Sequence, residues 1–182
     1  MHKSKGFVSA VVFVMTLSMA ACASTRTQKS AGEAVDDSVT TGRVKAALIA
    51  DPTTKAHEIN VETFKGTVQL NGFVDSAASK ERASEVAKGT KGVTAVRNNL
   101  TVKDDPRSAG TVVDDAAITT KVKAALVGDS RTKAHQIIVE TRDGNVQLSG
   151  FVNNSEAKST AEDLARAVDN VKSVDNEIDV KK

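Results

Sequence analysis

Aromatic residues are nearly absent from this chain, which contains no Trp, no Tyr and only five Phe among 182 residues. Two of the five, Phe7 and Phe13, lie in an apolar segment near the N-terminus. Proteins that bind single-stranded nucleic acid stack the bases on exposed aromatic side chains. That class is therefore disfavoured, and the hydrophobic cores must be built from Val, Ile, Leu and Ala.

An excess of basic charge is also missing. The formal charge is +2, and Lys3 and Lys5, which precede the apolar segment, account for it. Nucleic-acid affinity comes largely from neutralising phosphates, so we expect no nucleic-acid partner. The sequence also contains no Gly-rich phosphate loop, nucleophile elbow or zinc-ligand spacing. We therefore expect no catalytic residues, no metal site, no cofactor and no enzymatic activity.

The only cysteine, Cys22, follows a segment typical of export signals. A positively charged start precedes an apolar stretch at 6–17, which is too short to cross a hydrocarbon layer of about 30 Å. A lone thiol in an oxidising compartment has no disulfide partner in the chain. The sequence predicts a signal peptide at 1–21 and a polar tether at 22–35.

The segment Met19-Ala20-Ala21-Cys22 resembles the lipobox of bacterial lipoproteins. The resemblance implies that the Cys22 thiol is acylated and that the chain is cut just before it. Residue 23 is Ala, and not the Asp that retains many lipoproteins at the inner membrane. This implies an outer-membrane protein, lipid-anchored and facing the periplasm. The alternative is ordinary secretion, with cleavage after Ala21 or Ala23 and a soluble periplasmic product.

An internal repeat covers most of the remaining chain. Residues 36–104 align with 114–182 without a gap, and nearly half of the aligned pairs are identical. The linker at 105–113 contains Pro and Gly, which are typical of a chain break between domains. Units this short have a thin margin of stability, which favours packing of the two copies against each other.

Hydrophobic periodicity predicts the order helix, strand, strand, helix, strand in each copy. The two adjacent strands are joined by a Lys-Gly pair in the first copy and an Asp-Gly pair in the second, and Asp-Gly favours a type I′ turn. Asp37 and Asp115 are predicted to cap the first helices. The sequence therefore predicts an α+β fold of two tandem αββαβ units, each a three-stranded mixed sheet with two helices on one face.

The αββαβ order, the VKAAL helix and the VQLxGxV strand resemble the BON domain, a family named for a bacterial osmotically inducible periplasmic protein and for nodulation proteins. The resemblance covers 36–104 and 114–182, and the tandem pair behind a lipobox is similar to dual-BON outer-membrane lipoproteins. It implies a non-enzymatic protein that binds anionic phospholipid and supports outer-membrane integrity and tolerance of osmotic or envelope stress. The alternative is a chaperone or scaffold whose partners are envelope proteins.

The candidate lipid-binding residues surround the first helix of the second repeat. Basic side chains there can attract anionic head groups by about 1 kcal/mol per well-placed charge. The alternative is that they only solvate the helix. We favour the second repeat because Ile118 adds apolar surface and Arg131 adds a cation relative to the first. The predicted set is Ile118, Lys121, Lys123, Arg131 and Lys133.

Two glycines and two histidines occupy equivalent positions in the repeats. Gly72 and Gly150 interrupt a predicted strand, and we assign them a structural role in a bulge or tight packing over a role in ligand approach. His57 and His135 would suit metal binding or acid–base chemistry. Neither has a Cys or a second His nearby in the sequence, so we interpret them as residues copied with the duplication.

The predicted lipidation depends on one atom, the sulfur of Cys22. Changing Cys22→Ser removes the only thiol that can carry acyl chains, so the protein should move from the membrane fraction to the soluble fraction. Intact mass spectrometry of the wild-type protein should show the added acyl mass. A wild-type mass equal to that of the unmodified chain would contradict lipidation.

Overall fold

A computed structural model describes residues 30–54, 56–103 and 108–182, with the backbone but not the side chain of His57. The predicted signal peptide, Cys22 and most of the predicted tether lie outside the described residues, as does the first part of the linker. No helix within the described ranges is long and apolar enough to cross a membrane.

Each repeat has the predicted order of helices and strands. The first repeat consists of α1 (Ala31–Ala50), β1 (Ile59–Phe64), β2 (Thr67–Val74), α2 (Ala77–Lys88) and β3 (Ala95–Val102). The second consists of α3 (Ala109–Gly128), β4 (Ile137–Arg142), β5 (Asn145–Val152), α4 (Ser155–Arg166) and β6 (Ser173–Val180). A short 3-10 turn precedes β1 and another precedes β4.

The two sheets are mixed and have the same topology. β2 lies in the centre of the first sheet, antiparallel to β1 and parallel to β3. β5 has the same place between β4 and β6. Parallel neighbours need a crossover connection, which α2 and α4 provide. Both helices of a repeat pack on one face of its sheet, so the predicted α+β fold is confirmed.

Each repeat has a hydrophobic core of its own between its sheet and its helices. In the first repeat Val44 of α1, Leu70 of β2 and Ala83 of α2 are fully buried and belong to one cluster. The equivalent residues form a second, separate cluster in the other repeat. Both clusters consist of Val, Ile, Leu and Ala, as the shortage of aromatic residues predicts.

The first helix of each repeat begins earlier than expected. The Ser30 hydroxyl accepts the Glu33 N–H at 3.2 Å, and the Glu33 carboxylate accepts the Ser30 N–H at 2.8 Å, which forms a capping box. Ser108 caps α3 by accepting the Thr111 N–H at 3.1 Å. The prediction that Asp37 and Asp115 are N-caps was therefore wrong, because serines about two turns upstream perform that role.

Asp37 and Asp115 instead hold the hairpin turns. Both residues belong to the first helix of their repeat, and both are buried. The Asp37 carboxylate accepts the N–H groups of Lys65 and Gly66 at 2.7 and 2.9 Å. Asp115 accepts the two equivalent N–H groups of the second hairpin, both at 2.9 Å. Both residues of each turn have positive φ, as a type I′ turn requires, so one carboxylate fixes the turn to the first helix.

We expect Asp37→Ala or Asp115→Ala to lower the free energy of unfolding by about 2 kcal/mol or more, because two N–H groups of the turn lose a charged acceptor. Chemical denaturation followed by circular dichroism measures the change. The controls are Asp36→Ala and Asp114→Ala, which remove exposed neighbouring carboxylates and should change stability by about 0.5 kcal/mol or less. Equal losses in test and control variants would contradict the assignment.

Candidate functional site

Ile118 does not lie on the predicted lipid surface. Its side chain is only 5% exposed and belongs to the core of the second repeat. It shares one face of α3 with Val122 and Leu126, at the four-residue spacing of a helix face that packs on a sheet. The assignment of Ile118 to a membrane contact was wrong because this side chain is already buried against its own sheet.

The apolar surface that α3 exposes lies on the opposite face of the helix. Val113 and Val127 are 68% and 75% exposed. At about 100° per residue, they align with the exposed small residues between them, which are Ala117, Thr120 and Ala124. We call these five positions the α3 stripe. Hydrophobic periodicity does not reveal this stripe, because the strongest apolar pattern along the helix is that of the face that forms the core.

Lys121 and Lys123 border the α3 stripe on its two sides. They are two positions apart, which places them about 200° apart around the helix, and both are exposed. A lysine can lay its alkyl stem on apolar surface while its ammonium group reaches water or an anion. The structure therefore brings these two predicted residues to one amphipathic surface.

Arg131 and Lys133 lie beyond the C-terminal end of α3. The Arg131 guanidinium donates to the Asp129 carboxylate, with Nε–Oδ1 at 3.0 Å and Nη2–Oδ2 at 2.5 Å. These hydrogen bonds hold the pKa of Asp129 at about 2, so the carboxylate stays charged and opposes the Arg131 charge at neutral pH. Lys133 is exposed, with a left-handed backbone at φ +51°. Arg131 therefore contributes less positive charge to this surface than its sequence position suggests.

The helix α1 carries an equivalent exposed stripe. Its exposed large apolar residues are Val35, Val39 and Ile49. Arg43 and Lys45 occupy the positions that correspond to Lys121 and Lys123. The acidic residues differ, because α1 has two exposed carboxylates, Glu33 and Asp36, whereas α3 has one, Asp114.

The two sheets pack against each other through the faces that carry no helix. Gln69 of β2 and Gln147 of β5 are 0% and 3% exposed. The Gln69 side-chain oxygen accepts the Gly150 N–H at 3.0 Å, and the Gln147 side-chain oxygen accepts the Gly72 N–H at 2.7 Å. The repeats thus exchange one buried amide–backbone hydrogen bond in each direction.

Gly72 and Gly150 serve both their own sheet and this contact between sheets. Their φ angles are +113° and +121°, a conformation that favours glycine. A Cβ atom at Gly72 would overlap the carbonyl oxygen of Glu58, and one at Gly150 would overlap that of Gln136. Glycine is therefore required at both positions, because the segment that leads into the neighbouring strand passes too close for a Cβ atom. The glycine N–H group donates to the other repeat.

Other polar groups complete the contact between the sheets. The Gln69 amide nitrogen donates to the Asp179 carboxylate at 2.6 Å, and that of Gln147 donates to the Asn99 carbonyl at 2.8 Å. Burial at this contact raises the pKa of Glu177, and the nearby charge of Asp175 raises it further. The amides of both glutamines are thus satisfied, whereas the side-chain nitrogen of Asn71, buried two residues from Gln69 on the same face of β2, has no hydrogen-bond partner among the described residues.

The histidines gain no metal-binding partners in the described part of the chain. His135 is exposed, and the side chain of His57 lies outside the described residues. Across the described ranges, no group of three His, Cys, Asp or Glu side chains could hold a metal ion.

Comparison with known proteins gives a consistent result. A family profile described as BON domain matches residues 36–104 and 114–182. The chain is 43% identical over 151 residues to "Osmotically-inducible protein Y" of Escherichia coli (strain K12), a match that covers 82% of this chain and 75% of that protein. It is 34% identical over 148 residues to "Outer membrane lipoprotein DolP" of Haemophilus influenzae, which covers 80% and 75%. It is 35% identical over 147 residues to "21 kDa hemolysin" of Actinobacillus pleuropneumoniae, again covering 80% and 75%.

We expect Gln147→Ala to lower the free energy of unfolding by about 2 kcal/mol, because the Gly72 N–H and the Asn99 carbonyl lose a buried partner. Gln69→Ala should have a similar effect through Gly150. Urea denaturation measures both changes. Asn145→Ala, at an exposed position of the same strand, is the control and should leave stability nearly unchanged. Unaltered stability in both glutamine variants would show that the contact between sheets contributes little.

Proposed function

Because the chain belongs to the BON-domain family, we propose that it is a non-enzymatic envelope lipoprotein that binds anionic phospholipid and supports outer-membrane integrity during osmotic or envelope stress. Two relatives support this setting by their names, one as osmotically inducible and one as an outer membrane lipoprotein. A fold alone does not define a function. The proposal therefore rests on a specific surface of the second repeat.

The observation that carries the proposal is the α3 stripe with Lys121 and Lys123 at its borders. A helix that lies in a membrane interface inserts an apolar face and places basic residues beside it. Val113 and Val127 provide the exposed apolar side chains. The small residues between them let the helix backbone approach the lipid closely. The arrangement supports shallow contact with head groups, with the sheet turned away from the membrane.

The predicted anchor would keep this surface close to a membrane. Eight peptide units join Cys22 to Ser30, where the first helix is capped. A fully extended chain spans about 3.3–3.6 Å per residue, so this tether reaches about 29 Å at most. An acyl group on Cys22 would therefore raise the local concentration of the two repeats at the lipid surface, so that even a weak head-group contact is occupied.

The charge distribution favours α3 over α1 as the lipid contact. Both helices expose apolar side chains and two flanking cations. Asp36 and Asp114 occupy equivalent positions, and α1 has one further exposed carboxylate, Glu33, which lies about 160° around the helix from Val35. The exposed side chains of α1 thus include two carboxylates for two cations, whereas those of α3 include one carboxylate for two cations. Since head-group attraction is electrostatic, the second repeat should bind anionic lipid more tightly, which keeps the original preference for repeat 2 on different grounds from Ile118.

A second candidate function is chaperoning or scaffolding of envelope proteins. It is favoured by the exposed apolar residues on both α1 and α3, since unusual exposed apolar surface commonly marks an interaction site. A protein client would use both stripes and would not require anionic lipid. The two functions therefore differ in their dependence on lipid charge.

The test uses residues 30–182, which exclude the apolar signal and retain the Ser30 cap. We expect these residues to co-sediment with vesicles that contain phosphatidylglycerol, and not with vesicles of phosphatidylcholine alone. Lys121→Glu with Lys123→Glu should weaken vesicle binding by about tenfold or more, given about 1 kcal/mol for each cation at an anionic surface. Higher salt should weaken wild-type binding, because the Debye length shortens.

The matched control is Arg43→Glu with Lys45→Glu, at the equivalent positions of α1. This variant should bind vesicles nearly as well as the wild-type protein. Equal losses in the two double variants would contradict the assignment to the second repeat. Binding that is independent of phosphatidylglycerol would favour the chaperone function.

A further inference from the structure

Two grooves of equivalent construction lie along the contact between the sheets. The basic groove has a volume of about 340 Å³ and is lined by Lys65, Arg97, Phe151, Asp179, Lys181 and Lys182, among others. The sister groove has a volume of about 260 Å³ and is lined by Phe73, Lys103, Arg142, Asp143 and Asp175, among others. Positions 65 and 143 correspond in the repeat, as do 97 and 175, and 181 and 103. Each groove is built from both repeats.

The grooves differ in charge. The side chains that line the basic groove include four cations and a single carboxylate, whereas those of the sister groove include two of each sign. Most of the difference comes from two positions, where Lys65 corresponds to Asp143 and Arg97 to Asp175. Duplication therefore produced two similar grooves, and only one of them carries an excess of positive charge.

Two of the four cations of the basic groove lie beside the same phenylalanine ring. The ammonium groups of Lys65 and Lys181 each lie 5.5 Å from the centre of the Phe64 ring. The Lys181 ammonium group also donates to the Asn153 side-chain oxygen at 3.0 Å. An anion that enters the groove beside this ring would be attracted by both ammonium groups. The one carboxylate, Asp179, is already engaged by Arg97 at 3.0 Å and by the Gln69 amide at 2.6 Å.

An apolar wall adjoins these cations. The rings of Phe64 and Phe151 stack with their centres 5.4 Å apart, and Phe151 is half-buried where it lines the basic groove. Of the three phenylalanines outside the N-terminal apolar segment, two meet at this groove. A pocket that places charged donors beside apolar surface suits a ligand with an anionic head and a small apolar part.

We propose that the basic groove binds the phosphate group of a small anionic ligand, with the phenylalanine pair contacting an adjoining apolar portion. A phosphate has several acceptor oxygens, so it can accept from more than one lysine or arginine at a time. Such a group is present both in a phospholipid head group and in a soluble phosphate ester. The groove is separate from the α3 stripe, and this proposal stands whether or not that stripe binds lipid.

The experiment titrates the full-length chain, purified in a non-ionic detergent and labelled with ¹⁵N. The probes are inorganic phosphate, phenyl phosphate, glycerol 3-phosphate and dihexanoyl phosphatidylglycerol, with benzyl alcohol as an uncharged control. We expect the amides of Lys65 and Lys181 to shift with phenyl phosphate at millimolar concentration or below, and to stay unchanged with benzyl alcohol. Absence of shifts at these amides with every phosphate probe would overturn the proposal.

Variants exchange the residues that distinguish the two grooves. Lys65→Asp with Arg97→Asp should weaken binding of phenyl phosphate by about tenfold or more, since favourable charge interactions become repulsive. Asp is tolerated at the positive φ of this turn, because Asp143 adopts it in the other repeat. The reciprocal change, Asp143→Lys with Asp175→Arg, should create phosphate-dependent shifts in the sister groove, a gain that unfolding cannot produce.

Lys121→Glu with Lys123→Glu should leave the affinity of the basic groove unchanged, which separates this site from the proposed lipid surface. A wild-type affinity that survives Lys65→Asp with Arg97→Asp would overturn the proposal. Tighter binding of dihexanoyl phosphatidylglycerol than of glycerol 3-phosphate by about tenfold would support it with a lipid as the source. Similar affinities for the two probes would support it with a soluble phosphate ester as the source.

Discussion

The arrangement of the whole molecule depends on an exchange of hydrogen bonds between two glutamines and two glycines. Gln69 accepts the N–H of Gly150, and Gln147 accepts the N–H of Gly72. An amide buried without a partner is costly, and the packing of the two sheets gives the side-chain amides of both glutamines their partners. The positive-φ glycines make this possible, since they have no Cβ and present an N–H to the other repeat. The exchange therefore fixes how the repeats face each other.

Closing the sheets in this way sets which surfaces remain available. The helix-free faces are used for the contact, so α1 and α3 present their outer faces to solvent. The same closure forms grooves whose walls come from both repeats. The proposed membrane surface and the proposed ligand groove thus depend on one packing arrangement, although they lie on different elements.

The two repeats share the buried residues that stabilise the fold and differ in exposed residues. The buried Asp37 and Asp115 hold equivalent turns, and the cores use the same small set of apolar residues. The exposed charges differ, at the start of the first helices and at positions 65 and 97 against 143 and 175. Because exposed charges contribute little to stability, they can differ between the repeats without loss of the fold, and both proposed binding surfaces depend on such differences.

The sequence alone determined the elements, their order and the family, because periodicity and the Asp-Gly turn are properties of neighbouring residues. Tertiary structure decided the roles of individual side chains. Ile118 could not be assigned because the surroundings of an apolar residue on a helix are ambiguous until the helix is packed against its sheet. Asp37 resembled a cap, but its partners lie 28 and 29 residues away. Gln69 and Gln147 are identical polar residues at equivalent positions of predicted strands, and this identity was the one indication in the sequence that they have a shared role. Their partners belong to the other repeat, so no local pattern could identify them.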